Sequence, residues 1–158
     1  VNAFNNNNKV LLCGNGGSAA DAQHIAAELS GRFYMDRPPL FAEALHVNTS
    51  YLTAVANDYS YDEVYSRLII SKGAKGDVLI GISTSGKSKN VYEALVTAKE
   101  LGMHTISFCG KDKTEYFDIS EICLNAPSGD TPRIQELHIL IGHIICQLVE
   151  EKMFKNGK

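Results

Sequence analysis

Short apolar runs of strand length alternate along this chain with stretches in which apolar residues recur every three or four positions. The first kind predicts strands over residues 9–13, 43–47, 77–83, 103–109 and 119–124, of which 77–83 is the clearest buried one. The second predicts helices over 18–29, around 51–56 and 61–70, over 90–101, and from 131 to about 153. In 18–29, Ala19, Ala22, Ala26 and Leu29 share a face; in 90–101, Val91, Ala94, Leu95, Ala98 and Leu101 do so. Local punctuation agrees with this division. Ser18 is the expected N-cap of its helix, Asp62 suits a first helical turn, Gly102 a C′ position, and Thr131-Pro132 the N-cap and N1 of the last helix. Asn5 to Asn8 reads as a turn before the first strand. Strands alternating with helices predict an α/β fold, a largely parallel sheet with helices on both faces in a three-layer, flavodoxin-like, doubly wound arrangement.

Composition narrows the class without changing that picture. A length of 158 residues suits one domain, expected over 1–158, and 44% apolar with 21% charged residues is ordinary for a folded soluble protein. A formal net charge of −3 offers no broad basic surface, so nucleic acid is not an expected partner. No apolar run reaches the roughly 18–20 residues of a membrane span. Cys13, Cys109, Cys123 and Cys146 form no C-x-x-C pair and read as buried thiols of a reducing compartment, which places the protein in the cytoplasm. Val1 stands where a Met would open a chain, and a further segment upstream is expected.

Two loops fall where a parallel sheet binds ligands, at the junction of a strand end and a helix start. The first is Gly14-Asn15-Gly16-Gly17-Ser18 and the second Ser83-Thr84-Ser85-Gly86-Lys87-Ser88. Each offers backbone N–H groups at a helix N-terminus, where unpaired donors and the helix dipole favour an anion. The second adds four hydroxyls and the Lys87 charge, a donor set suited to a phosphate monoester; the plainer reading is a serine-rich turn that caps a helix. Residues 81–88, GISTSGKS, also match the nucleotide P-loop G-x-x-x-x-G-K-S letter for letter. That alternative needs a second apolar strand ending in a magnesium-binding Asp, and the strands ending at Cys13, Cys109 and Leu124 lack one.

The stretches CGNGGSAADAQHIAAELSGR, GISTSGKS and RIQELHILIGHIICQL, in this order and spacing, resemble the phosphoheptose isomerases of the sugar isomerase (SIS) superfamily. The resemblance implies conversion of sedoheptulose 7-phosphate to D-glycero-D-manno-heptose 7-phosphate for bacterial surface polysaccharide such as lipopolysaccharide or capsule. It implies a homotetramer with sites between subunits, and a zinc ion. The implied metal ligands are His24, Glu28, Gln135 and His143. The implied sugar-phosphate contacts are Asn15, Gly16, Gly17, Ser18, Glu28, Asn57, Asp58, Ser83, Thr84, Ser85, Ser88 and Gln135. Residues 111–115 lack the glycines usual there, and Pro132 stands where relatives carry a polar residue. Residues 54–65, AVANDYSYDEVY, also look like a non-catalytic SIS relative that binds a replication initiator protein, but that relative lacks counterparts of Glu28 and His143.

The residues support the implied chemistry on their own terms. Aldose–ketose isomerisation through an enediol needs a base, an acid and a polarised carbonyl, roles that Glu28, His143 and a metal ion can fill. His24 and Glu28, four apart, project from one helix face, as many solvated pairs do. Gln135 and His143 are separated by about 80° in phase but about 12 Å in rise, so either their helix meets the site obliquely or they serve different parts of it. His46, His104 and His138 read as ordinary strand or helix histidines.

Overall fold

The computed structural model describes residues 1–155, so the last three residues of the expected domain lie outside the described ones. Its centre is a five-stranded, wholly parallel sheet in the order β2-β1-β3-β4-β5, formed by β1 (Val10–Gly14), β2 (Ala42–Ala44), β3 (Val78–Ser83), β4 (His104–Cys109) and β5 (Ile122–Asn125). This is the doubly wound order anticipated from the pattern, and its reversal point lies between β1 and β3.

The helices are α1 (Asn2–Asn5), α2 (Gly17–Ser30), α3 (Thr49–Asp58), α4 (Val64–Lys72), α5 (Lys89–Glu100), α6 (Tyr116–Ile119) and α7 (Thr131–Glu150), the last continued by a wider π turn over Glu151–Lys155. Alternation along the strands sends their residues to two cores. Leu11, Cys13 and Leu79 face α3 to α6, whereas Val10, Leu12, Ile80 and Ile82 face α2 and α7. Both faces are covered, which is why the strands read as continuous apolar runs.

Several expectations are corrected by backbone geometry. Ser18 is not the N-cap: Gly16, at φ +57°, makes the turn, the helix begins at Gly17, and the Ser18 N–H already bonds the Asn15 carbonyl at 3.1 Å. Asp130, not Thr131, is the N-cap of α7, and its backbone carbonyl accepts from the Ile134 N–H at 3.0 Å. The expected strand over 43–47 pairs only through Ala44 and then tightens into a 3-10 turn over Leu45–Val47. The first half of the strand expected over 119–124 is the end of α6 and a connection, so pairing starts at Ile122. Gly102 takes the expected left-handed C′ conformation at φ +74°. Asp77, buried at the foot of β3, accepts from the Lys9 N–H and ammonium, the Asn8 amide and the Ala74 N–H, which ties β1 to β3. Burial pushes its carboxyl up, but these donors outweigh it and hold the group below its ordinary value.

Candidate active site

The two glycine and serine loops leave the C-terminal ends of β1 and β3, the strands that flank the reversal point. The first is tied to the first turn of α5, the helix that follows the second. Asn15 and Asn90 exchange amide contacts, Asn15 Nδ2 to Asn90 Oδ1 at 2.8 Å and Asn90 Nδ2 to Asn15 Oδ1 at 3.0 Å. Behind the first loop, the buried Tyr65 hydroxyl donates to the Gly14 carbonyl at 2.5 Å. Burial raises its phenol, which therefore remains a donor. In the second loop Ser83 and Ser88 place their hydroxyl oxygens 3.1 Å apart, the Lys87 N–H donates to Ser85 Oγ, and Gly86 turns at φ +62°. Thr84, Ser85 and Lys87 line a cavity of about 190 Å³ with Lys111, Ser128 and Thr131.

Asn57 and Asp58 end α3, exposed and bonded to each other at 2.9 Å. The segment after them reaches the first loop and the start of α5, through Tyr61 Oη on Asn15 Oδ1 at 3.3 Å and the Asp62–Lys89 ion pair at 2.9 Å. The strands next to β3 end in Gly14 and Cys109, so no neighbour supplies the Asp that a nucleotide P-loop requires.

A second group of residues meets where α2 packs on α7. Gly142 allows the approach, since a Cβ there would lie 2.5 Å from Ile25 Cδ1. The contact brings His143 beside the pair one face of α2 presents: the His24 and His143 rings are 5.0 Å apart edge to face, and His24 Nε2 lies 3.1 Å from Glu28 Oε1. One ligand atom from each of His24, Glu28 and His143 falls within 4.8 Å of the others. The His143 Nε2 atom is buried without a protein partner. Two imidazoles and a carboxylate, with one ring nitrogen unpaired, fit a divalent ion such as zinc, which takes three such protein ligands and leaves a position open in catalytic sites. On the same helix as His143, the Gln135 amide lies against Gly17 at the start of α2.

The segment after α2 packs against His143. Phe33 packs on the His143 ring at 5.5 Å. Its N–H, with those of Tyr34 and Met35, donates to the Glu150 carboxylate, which also receives Arg37 Nε at 3.0 Å. Arg37 donates in turn to the carbonyls of Glu28, Leu29 and Gly31, capping the C-terminus of α2. Motif reading missed Arg37, Glu150, Tyr65 and Asn90, which lie beside no chemical signature; a charged residue within the apolar face of α7 is the one signal that marked Glu150. His138 is ordinary, as expected: buried, with its Nε2–H donated to the Cys109 carbonyl at 3.1 Å.

Comparison with known proteins bears on this arrangement. Residues 1–110 match the SIS domain family. The phosphoheptose isomerase of Sulfurimonas denitrificans is 52% identical over 157 residues, spanning 99% of this chain and 80% of that protein. That of Clostridium acetobutylicum is 54% identical over 154 residues, spanning 98% and 79%. The solved structure of phosphoheptose isomerase GmhA from Neisseria gonorrhoeae superposes with a TM-score of 0.89 at 46% identity, over 95% of this chain and 80% of that one.

Proposed function

This chain belongs to the phosphoheptose isomerases of the SIS domain family, enzymes that act on sedoheptulose 7-phosphate, and from that premise we propose how its residues share the reaction. The loop 83–88 holds the phosphate through Ser83, Thr84, Ser85 and Ser88, assisted by the α5 N-terminus. Asn15, Gly16, Gly17, Ser18, Asn57, Asp58 and Gln135 face the sugar chain. Glu28 takes the proton from C1 of the ketose and returns it to C2 of the enediol, while His143 moves a proton between the two oxygens, giving the aldose D-glycero-D-manno-heptose 7-phosphate. The observation that carries this reading is the convergence of Glu28 and His143, 115 residues apart in sequence, at one point with His24.

His24, Glu28 and His143, with Gln135 as the fourth ligand that the resemblance implies, would hold a zinc ion, which when bound supplies a positive charge that polarises the carbonyl. Direct detection of aldoheptose phosphate tests this: chelation lowers the rate, zinc restores it, and His24→Ala abolishes the response along with bound metal by elemental analysis. Full activity of metal-free protein would leave Glu28 and His143 as an acid and base pair without a metal.

The phosphate is remote from the carbons that exchange the proton, so its contacts serve binding. Ser85→Ala is expected to raise KM more than it lowers kcat, by the about 1.5–3 kcal/mol of a hydrogen bond to a charged group. Steady-state kinetics with an unchanged KM would move the phosphate elsewhere.

Leu140, Ile144 and Leu148 form a stripe on α7 at 51%, 47% and 49% exposure, running beside His143. This stripe supports a homo-oligomer, a tetramer by resemblance, in which another copy covers it. A cytoplasmic location accords with four cysteines free of disulfides and with the absence, among the described residues, of a helix long and apolar enough to cross a membrane.

A further inference from the structure

Tyr116 opens the short helix α6, and the structure sets it directly beneath the second loop. The residue is 1% exposed, and its hydroxyl donates to the Ser88 carbonyl at 2.7 Å. The same carbonyl accepts from the N–H groups of Val91 and Tyr92 at 3.2 and 3.0 Å, so it opens the hydrogen-bond ladder of α5. Ser88 also faces Ser83 through its side chain. Two residues before Tyr116, Thr114 sits against Gly86, its Oγ1 only 2.6 Å from where a Cβ would stand. Residues 114–116 therefore support the loop at two points, at its tight turn and where it passes into the helix.

A loop of serine, threonine and glycine is costly to order, because glycine and small polar residues have wide backbone freedom. Donors already fixed before the anion arrives spare binding that cost. Tyr65 supports the first loop by the same means, with its hydroxyl on the Gly14 carbonyl. Resting on the assignment of residues 83–88 to the phosphate, we propose that Tyr116 is a positioning residue for sugar-phosphate recognition, its phenol holding Ser88 and the first turn of α5 in the anion-binding conformation. The hydroxyl donates to the Ser88 carbonyl and lies within reach of the Ser83 side chain, so it acts through the loop. Burial raises the phenol well above its ordinary value, which keeps the donor protonated at any working pH.

The test compares Tyr116→Phe, Tyr92→Phe and Ser85→Ala, each assayed for kcat and KM with sedoheptulose 7-phosphate and for inhibition by inorganic phosphate. Tyr116→Phe keeps the ring and removes one neutral hydrogen bond. It should raise KM and the phosphate inhibition constant together by about 2- to 13-fold with kcat within about twofold. Tyr92→Phe removes a hydroxyl from the ring beside Tyr116 and should leave all three values within about twofold. A rise in Ser85→Ala without one in Tyr116→Phe overturns the positioning role and leaves the phosphate loop intact. No rise in either overturns both assignments. An equal rise in Tyr92→Phe, or a fall in kcat at constant KM in Tyr116→Phe, also overturns the proposal, since either would report general loosening or a role in the proton transfer.

Discussion

Glu28→Gln is expected to lower kcat by about 10²- to 10⁴-fold while sugar-phosphate binding persists, because a positioned general base contributes about that much to a proton transfer. The amide keeps the side chain's shape and its place one turn from His24, so the packing of α2 on α7 is undisturbed. What it loses is the capacity to accept a proton at neutral pH. Binding by calorimetry, turnover by aldose detection and bound metal by elemental analysis separate the possible causes. A fall in turnover with normal binding and normal metal content assigns the loss to proton transfer. A parallel loss of metal would assign part of it to the ligand set. His143→Ala should act similarly, and the double variant should fall far short of the product of the two factors, because residues that act as a unit are not additive. Near-normal turnover in Glu28→Gln would sink the assignment.

The second large effect is on stability. Glu150→Ala should cost about 3–5 kcal/mol, the range for removing one partner of a buried ion pair. Glu150 is 1% exposed, and its loss would leave the Arg37 guanidinium and three backbone N–H groups without their acceptor. For a domain of this size that corresponds to a fall in Tm of about 6–20 °C. The same group predicts a pH dependence. Burial pushes the Glu150 carboxyl up, but the N–H groups of Phe33, Tyr34 and Met35 and the Arg37 guanidinium prevail and hold it below its ordinary value. Its contribution is therefore complete above the carboxyl's unfolded range and is lost as pH falls through the lower native value. Urea unfolding at neutral and acid pH should show a steeper acid loss in the parent protein than in Glu150→Gln. Equal acid slopes, or an alanine variant as stable as the parent, would show that the pair does not hold the segment. Because Arg37 also binds the Glu28 carbonyl, loosening this clamp should disturb the C-terminal end of α2.

The sequence by itself determined the class of fold and the placement of the two loops. Whether a segment buries one face, two or none is written in its own residues, as in the apolar run 77–83 and the helical spacing of Val91, Ala94, Leu95 and Ala98. It likewise put His24 and Glu28 on one face, because four residues are about one helical turn. It gave the wrong cap at Ser18, since a side chain that can cap does not reveal that a neighbouring glycine already turns the chain at positive φ. Only the tertiary structure decided that His143 meets the pair on α2 and that Gln135, on the same helix, lies against Gly17. Periodicity tells which face of a helix is buried, but which residue of another helix it meets depends on how the whole core packs, down to the missing side chain at Gly142. The same holds for Tyr65, Tyr116 and the Arg37–Glu150 clamp. Each joins positions far apart in sequence by a buried or part-buried hydrogen bond, and a buried polar group takes its partner from whatever the fold brings within about 3 Å, which no local pattern records.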